Sequence, residues 1–282
     1  MKTTLLLFLA CTYSFAQISE SNREYKSLSE AFAHKDKAEW LTLEKKDLTT
    51  LPDSLFELTQ LKYLDLSNNQ LESIQDEIRN LKNLKYLVLS RNKIKELPAG
   101  FAQLRLLQSL YLDHNPNIDL AKSLEVLSAL PSLKMLSLAG DNISVIPRSL
   151  SGLHDLESLD LSENNFTDLP ETTPQLKHLK ILYINSDPHF NLGNNIKVLS
   201  KIKSLNELHV ENDNLTELPS NINELKSVNY LFLIGNRIRE LPSELNTMKN
   251  LKILDMSDNP IPPSQLYDEH LRPNLNIRLK KN

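Results

Sequence analysis

The side chains best spaced for chemistry in this sequence surround His209. Glu207, His209 and Glu211 alternate along one predicted strand, so they share one face of a sheet. Imidazole nitrogens and carboxylate oxygens are both zinc ligands. The predicted neighbouring strands, however, bring Tyr183 and Phe232 to this face rather than further ligands. We therefore interpret His209 as a surface histidine flanked by aromatic residues, and we predict no metal site.

Other signals of catalysis are missing from the sequence. The adjacent Asp113 and His114 would face small or non-ligating residues on both neighbouring strands. No P-loop, HExxH, GxSxG or CxxC motif occurs, and the 5 glycines are all isolated, so no glycine-rich loop can cradle a phosphate. The sequence predicts no catalytic residue, no cofactor and no enzyme activity.

The elements that position these side chains follow a repeated frame, LxxLxLxxNxLxxLPxxLxxL, between about residues 38 and 279. It is legible in LKYLDLSNNQLESI (Leu61 to Ile74) and LESLDLSENNFTDLP (Leu156 to Pro170). The units are 23 or 26 residues long, and the order 23, 23, 26 recurs every 72 residues. A period in the twenties predicts stacked repeats around one continuous core, and each 26-residue unit predicts a fuller helix, the first over Asp119 to Leu130.

These motifs resemble the short LP-containing class of leucine-rich repeats, which occurs in intracellular scaffolds and in many exported bacterial proteins. The resemblance covers nearly the whole chain after residue 37. It implies an α/β fold: a right-handed solenoid, or horseshoe, with about eleven parallel strands on its concave face and short helices or 3₁₀ turns on its convex face. It is far more specific for the fold than for the ligand.

An asparagine occupies the ninth position of most units. Its amide both donates and accepts hydrogen bonds, so in this family it satisfies the backbone of the turn that ends each strand. Lys46, Asp141, Asp187 and Asp213 stand at this position elsewhere. Because Asp accepts but does not donate when ionised, we expect those turns to be weaker. The predicted asparagine ladder is Asn69, Asn92, Asn115, Asn164, Asn236 and Asn259.

Two apolar clusters are predicted on the concave face, where exposed aromatic residues often mark a binding site. The alternative is that aromatic residues are good strand formers that stack along a sheet. We name them the first and second aromatic clusters. The first comprises Tyr63, Tyr86, Val88 and Tyr111, and the second comprises Ile181, Tyr183, Tyr230, Phe232 and Ile234, with His209 among them.

The chain is predicted to contain one domain of repeats between two caps. Residues 1–16 read as a signal peptide cut after Ala16, 17–37 as the N-terminal cap, 38–259 as the repeat array and 260–282 as the C-terminal cap. In the N-terminal cap, Ser27 predicts the start of a helix whose Leu28, Ala31 and Phe32 cover the first repeat.

The leader predicts export, so that the protein would be secreted, periplasmic or on the cell surface. Acylation of Cys11, the single cysteine, is a less favoured alternative that would anchor the chain to lipid. No later stretch approaches the ~20 apolar residues of a spanning helix, so no membrane span is predicted.

Charge and resemblance together define the expected partner. The net charge is -4 and the basic residues are scattered, so the sequence predicts no basic patch of the kind that binds nucleic acid. The resemblance implies a non-catalytic module that binds another protein through its concave face. Alternatives are a binder of carbohydrate or cell-envelope polymer that uses tyrosines as stacking platforms, and an intracellular signalling scaffold if residues 1–16 are retained. Self-association also remains open.

Overall fold

The structure is a computed structural model, and it describes residues 23–262, 264–265 and 275–279. The predicted signal peptide, Cys11 and most of the predicted C-terminal cap lie outside the described residues. Within them, no helix is long and apolar enough to cross a membrane.

The described chain forms one sheet of parallel strands in sequence order, which confirms the predicted solenoid. The eleven expected strands are present, and a twelfth, from the N-terminal cap, pairs with the first of them. The strands are β1 (Glu24–Tyr25), β2 (Trp40–Thr42), β3 (Tyr63–Asp65), β4 (Tyr86–Val88), β5 (Ser109–Tyr111), β6 (Met135–Ser137), β7 (Ser158–Asp160), β8 (Ile181–Tyr183), β9 (Glu207–His209), β10 (Tyr230–Phe232), β11 (Ile253–Asp255) and β12 (Asn276–Arg278).

The core is a spine of aliphatic side chains between the sheet and the convex side. The middle residue of a strand points inward because side chains alternate, and its neighbours are the middle residues of the adjacent strands. Leu136, Leu159 and Leu182 pair in this way, and each is fully buried. Each repeat therefore completes its core only against the repeats beside it.

Short helices return the chain along the convex side. Proline stands in extended backbone immediately before four of the 3₁₀ helices, where its missing N–H costs no helical hydrogen bond. The two long units instead form α-helices that begin after the capping residues Asp119 and Asn191. The 3₁₀ helices are Asp53–Glu57, Asp76–Asn80, Ala99–Gln103, Arg148–Gly152, Thr173–Gln175, Ile222–Glu224 and Ser243–Thr247, and the α-helices are α1 (Leu28–Ala33), α2 (Leu120–Leu127) and α3 (Leu192–Leu199).

The N-terminal cap covers the first repeat differently from the prediction. Ser27 caps α1 as expected, because its hydroxyl accepts the backbone N–H of Glu30 at 3.3 Å. Ala31 is buried, but Phe32 is among the exposed large apolar side chains. Tyr25 of β1 is buried in the core instead. The expectation for Phe32 was wrong, because the helix docks with Ala31 toward the core and the added strand supplies the aromatic cover.

Candidate functional site: the concave face of the sheet

The concave face consists of the outward residues of each strand. The first and third residues of a strand flank the buried middle residue, and both lie on the opposite side of the sheet from the core. Neighbouring strands are in register, so these residues form columns that run across the whole sheet. Nine of the ten residues that the sequence predicted for partner binding are first or third residues of strands on this face, and the tenth, Ile234, lies two residues beyond β10.

In the second aromatic cluster, three rings form a continuous stack across β8, β9 and β10. The ring centroids of Tyr183 and His209 are 4.3 Å apart, and so are those of His209 and Phe232. The His209 and Phe232 planes differ by only 6°. His209 is consequently 1% exposed and Tyr183 is 6% exposed, so the stack shields its own central ring.

Both ring nitrogens of His209 contact carboxylates. Nε2 lies 2.7 Å from Oε1 of Glu207, and Nδ1 lies 2.7 Å from Oε1 of Glu211. An ionised carboxylate only accepts hydrogen bonds, so this arrangement favours an imidazolium that donates from both nitrogens. Burial lowers the pKa of His209, but the hydrogen bonds and charges of Glu207 and Glu211 outweigh it and raise the pKa above its ordinary value.

The interpretation of His209 as a surface residue is therefore corrected, since the histidine is buried and both of its ring nitrogens contact carboxylates. A ring that donates from both nitrogens has no lone pair to offer a metal. The described residues contain no group of three or more His, Cys, Asp or Glu side chains that could hold a metal ion.

Seven of the ten predicted residues retain partial exposure, whereas Tyr63, Tyr183 and His209 are buried. Tyr63 packs against Trp40, with ring centroids 5.0 Å apart. The half-buried residues are Tyr86, Val88, Tyr111, Ile181, Tyr230, Phe232 and Ile234.

A polar stretch separates the two aromatic clusters. Asp113, just beyond β5, accepts hydrogen bonds from the hydroxyl of Ser90 at 2.7 Å and from the hydroxyl of Ser137. Asp160 accepts the backbone N–H of Ser162 at 2.9 Å. Burial raises the pKa of Asp160 to about 6, although the hydrogen bonds from Ser162 oppose that rise. These donors fix the carboxylates in place on the concave face.

The ladder asparagines join successive turns through three kinds of hydrogen bond. In Asn69, Oδ1 accepts the backbone N–H of Lys46 at 2.9 Å and of Leu48 at 3.1 Å, both in the preceding repeat. Nδ2 donates to the carbonyl of Leu66 in its own repeat at 2.8 Å. It also donates at 2.9 Å to the carbonyl of Leu43 in the preceding repeat. Asn92, Asn115, Asn164, Asn236 and Asn259 make corresponding contacts.

The aspartates at the ladder position satisfy only half of this pattern. Asp141 Oδ1 accepts the N–H of Asn115 at 2.6 Å, and Asp213 Oδ1 accepts the N–H of Asp187 at 2.6 Å. Oδ2 of Asp141, Asp187 and Asp213 is buried without a hydrogen-bond partner among the described residues. Burial raises the pKa of Asp141 and of Asp213 to about 8, and that of Asp187 to about 6.

A protonated carboxyl would restore the missing donor at these positions. Asp141 and Asp213 are separated by 72 residues, the length of the longer repeat, so they are equivalent positions of a duplicated unit. A neutral acid carries one O–H and one C=O, and so resembles the asparagine that stands elsewhere in the ladder.

Sequence reasoning missed a further structural amide, Asn195. Its Oδ1 accepts the N–H of Leu169 at 2.8 Å, and its Nδ2 donates to the carbonyls of Thr167 at 3.0 Å and Asn191 at 2.8 Å. The signal was present in the sequence, since Asn195 interrupts the apolar stripe of α3 between Leu192 and Ile196. It links α3 to the preceding repeat.

A family model matches a large part of the chain. The model describes a leucine-rich repeat region, and it matches residues 41–132 and 117–214. No curated protein is similar enough in sequence to match.

Solved structures share the fold. An internalin from Listeria monocytogenes has 20% identity and a TM-score of 0.61, over 93% of this chain and 79% of the internalin chain. The leucine-rich repeat domain of the type III effector XopL has 22% identity and a TM-score of 0.56, over 89% of this chain and 79% of its own. At such identities, the likeness establishes the architecture alone.

Proposed function

The chain belongs to the leucine-rich repeat family, and we propose that it is a non-catalytic module that binds another protein on the concave face of its sheet. Leucine-rich repeat proteins are typically binding modules without enzyme activity, and the fold commonly mediates protein–protein interaction. The observation that carries the proposal is the partial exposure of seven aromatic or aliphatic side chains in two clusters on this face. These side chains lie on the opposite side of the sheet from the spine, so partner binding is a reason for their apolar character.

Carbohydrate binding is less well supported by the aromatic stack. A tyrosine that serves as a platform for sugars needs an open ring face. One face of Tyr183 and one face of Phe232 are covered by His209 at 4.3 Å. A glycan array would decide this alternative: binding to glycans without any protein partner would favour it.

We propose that the protein is exported, because residues 1–16 read as a signal peptide, and that it is secreted, periplasmic or at the cell surface. Mass spectrometry of the mature protein should find Gln17 as the first residue. A retained leader would favour the intracellular scaffold, and an acylated Cys11 would favour lipid anchoring.

Two truncations test the concave face directly. Tyr111→Ala and Tyr230→Ala remove half-buried rings, one from each aromatic cluster, without touching the leucine spine. Each should weaken partner capture in a pull-down from the producing cells while the melting temperature falls by no more than about 2–4 °C, the shift expected for roughly 1 kcal/mol in a large domain.

Val145→Ala is the matched control, because Val145 is 75% exposed and lies outside the sheet, between β6 and the helix Arg148–Gly152. Equal capture by all three variants and the unaltered chain would contradict the proposal. Tyr230 is preferred to Phe232 because Phe232→Ala would also uncover His209.

A further inference from the structure

Negative charge on the concave face gathers at the carboxyl ends of the strands. The third residue of a strand, or the residue two positions beyond it, is acidic in most repeats. Lysines instead precede the strands, on the opposite edge of the face, and Glu157 bridges two of them, Lys134 at 3.0 Å and Lys180 at 2.6 Å. The carboxylates at the carboxyl ends of the strands are Glu44, Asp65, Asp113, Asp160, Glu211 and Asp255.

Three of these carboxylates have no cation beside them. Glu44 pairs with Lys45, Asp255 lies 3.7 Å from Arg278, and Glu211 contacts His209. In the part of the chain that the structure describes, no basic side chain lies within 4.0 Å of Asp65, Asp113 or Asp160. Their charges are balanced only by the N–H and O–H donors of neighbouring serines and alanine.

The acidic strip runs from the edge of the first aromatic cluster into the second. We use this name for Asp113, Asp160 and Glu207, which follow one another from the end of β5, through β7, to β9. The side chain of Glu207 is 25% exposed. Among the described residues its one ion-pair partner is the buried His209, which also contacts Glu211. Burial, and then the negative charges of Glu207, Asp160 and Glu211, raise the pKa of Tyr183. Glu207 lies on β9 beside Tyr183 of β8, so the strip is continuous with the second aromatic cluster.

A partner that reaches both aromatic clusters must therefore cover the strip. Tyr111 and Ile181 lie three strands apart, which is about 14 Å at the spacing of strands in a sheet. Asp160 is already buried, but a neutral or acidic partner would cover the half-buried Asp113 and Glu207 without a cation of its own to offset their lost solvation, which is costly. A guanidinium or ammonium group would restore the lost solvation, and the fixed carboxylates are already oriented for it.

We infer that the partner is a basic protein segment, one that places lysine or arginine side chains on the acidic strip and apolar side chains on the two aromatic clusters. This inference rests on the proposed function, and it specifies that the binding segment of the partner is positively charged. Arginine suits the strip best, because its planar fork can bridge carboxylates on different strands.

A library of random peptides displayed on phage, selected against the full chain, provides the test. Selected sequences should be enriched in Lys and Arg relative to the starting library, and their binding should weaken as salt is added. Asp160→Asn combined with Glu207→Gln removes two charges but keeps the oxygens that accept from Ser162 and His209. This variant should bind the selected peptides about tenfold more weakly, the effect expected for loss of a charge-assisted hydrogen bond.

Asp168→Asn combined with Glu171→Gln is the matched control, with the same chemical change at exposed positions outside the sheet. Recovery of peptides without excess basic residues, or equal binding by the two double variants, would overturn the inference. If peptides without excess basic residues bind Tyr111→Ala or Tyr230→Ala more weakly than the unaltered chain, the concave face binds peptides but does not select them by charge. If no peptide responds to either truncation, the proposed function fails as well.

Discussion

At the scale of single residues, the buried aspartates of the ladder make stability depend on pH. Burial raises the pKa of Asp141 and of Asp213 in the folded chain to about 8, whereas an unfolded aspartate titrates near 3.9. A group with a raised folded pKa binds its proton more tightly when folded. Its contribution is fully present below about pH 4 and is lost as pH rises toward about 8.

We predict that Asp141→Asn stabilises the chain at pH 8 and has a smaller effect at pH 5. The amide is neutral at both values, and its Nδ2 can donate to strand-end carbonyls, as Asn69 and Asn92 both donate to Leu66. The gain at pH 8 should be about 1–3 kcal/mol, the cost of an unsatisfied buried polar group. Urea denaturation at the two pH values measures it. An identical effect of the substitution at both would show that the acid is not protonated on folding.

His209 also stabilises the fold in its protonated form, but its protonated form is the charged one. The two carboxylates raise its folded pKa above that of an unfolded histidine. The stability from this imidazolium is therefore complete below the unfolded pKa and disappears as pH rises through the folded pKa. NMR titration of the ring should show His209 still charged at a pH above about 6.5, the ordinary pKa of histidine.

Glu211→Gln should lower the pKa of His209, because it removes one of the two carboxylates that favour the cation. Asp168→Asn, remote from the ring in the fold, serves as the control and should leave the titration unchanged. A His209 that titrates below about 6.5 in the unaltered chain would contradict the assigned protonation.

At the scale of elements, the strands and helices could be predicted because each depends on a short, repeated pattern. The LxL step predicted the strands, and the extra residues of the 26-residue units predicted α2 and α3 at their places. The strand β1 was missed because its two residues carry no repeat and gain their structure from pairing with β2. The orientation of Phe32 was missed because tertiary docking, rather than the capping signal of Ser27, decides which side of α1 faces inward.

The burial of His209 could not be predicted from alternation along its own strand. Alternation places His209 on the concave face, where sequence reasoning takes it to be exposed. Adjacent strands hold the rings of Tyr183 and Phe232 at 4.3 Å on both sides, and these neighbours come from other repeats. Exposure within a column is thus set by the size of the side chains one repeat before and one repeat after.

At the scale of the whole molecule, we expect disruption of the aliphatic spine at one position to unfold several repeats together. Each repeat is completed by its neighbours, so a charge placed in the middle of the spine removes support on both sides. Leu159→Asp buries a carboxylate at a fully buried position of β7, and we predict destabilisation by more than about 4 kcal/mol.

Circular dichroism during heating measures this change. Leu106→Asp is the matched control, since Leu106 is 45% exposed, and its effect should stay within about 0.5 kcal/mol. A melt of Leu159→Asp that overlays the melt of the control would contradict the role given to the spine.

We propose that the concave face determines the function of the whole solenoid, and site-specific photocrosslinking in the producing cells tests this proposal most directly. A photoreactive amino acid is placed at Tyr230, on the concave face, or at Val145, outside the sheet. The account predicts that Tyr230 yields a discrete crosslinked protein, that Val145 does not, and that Asp160→Asn combined with Glu207→Gln weakens the crosslink. A discrete partner crosslinked from Val145 and not from Tyr230 would contradict it.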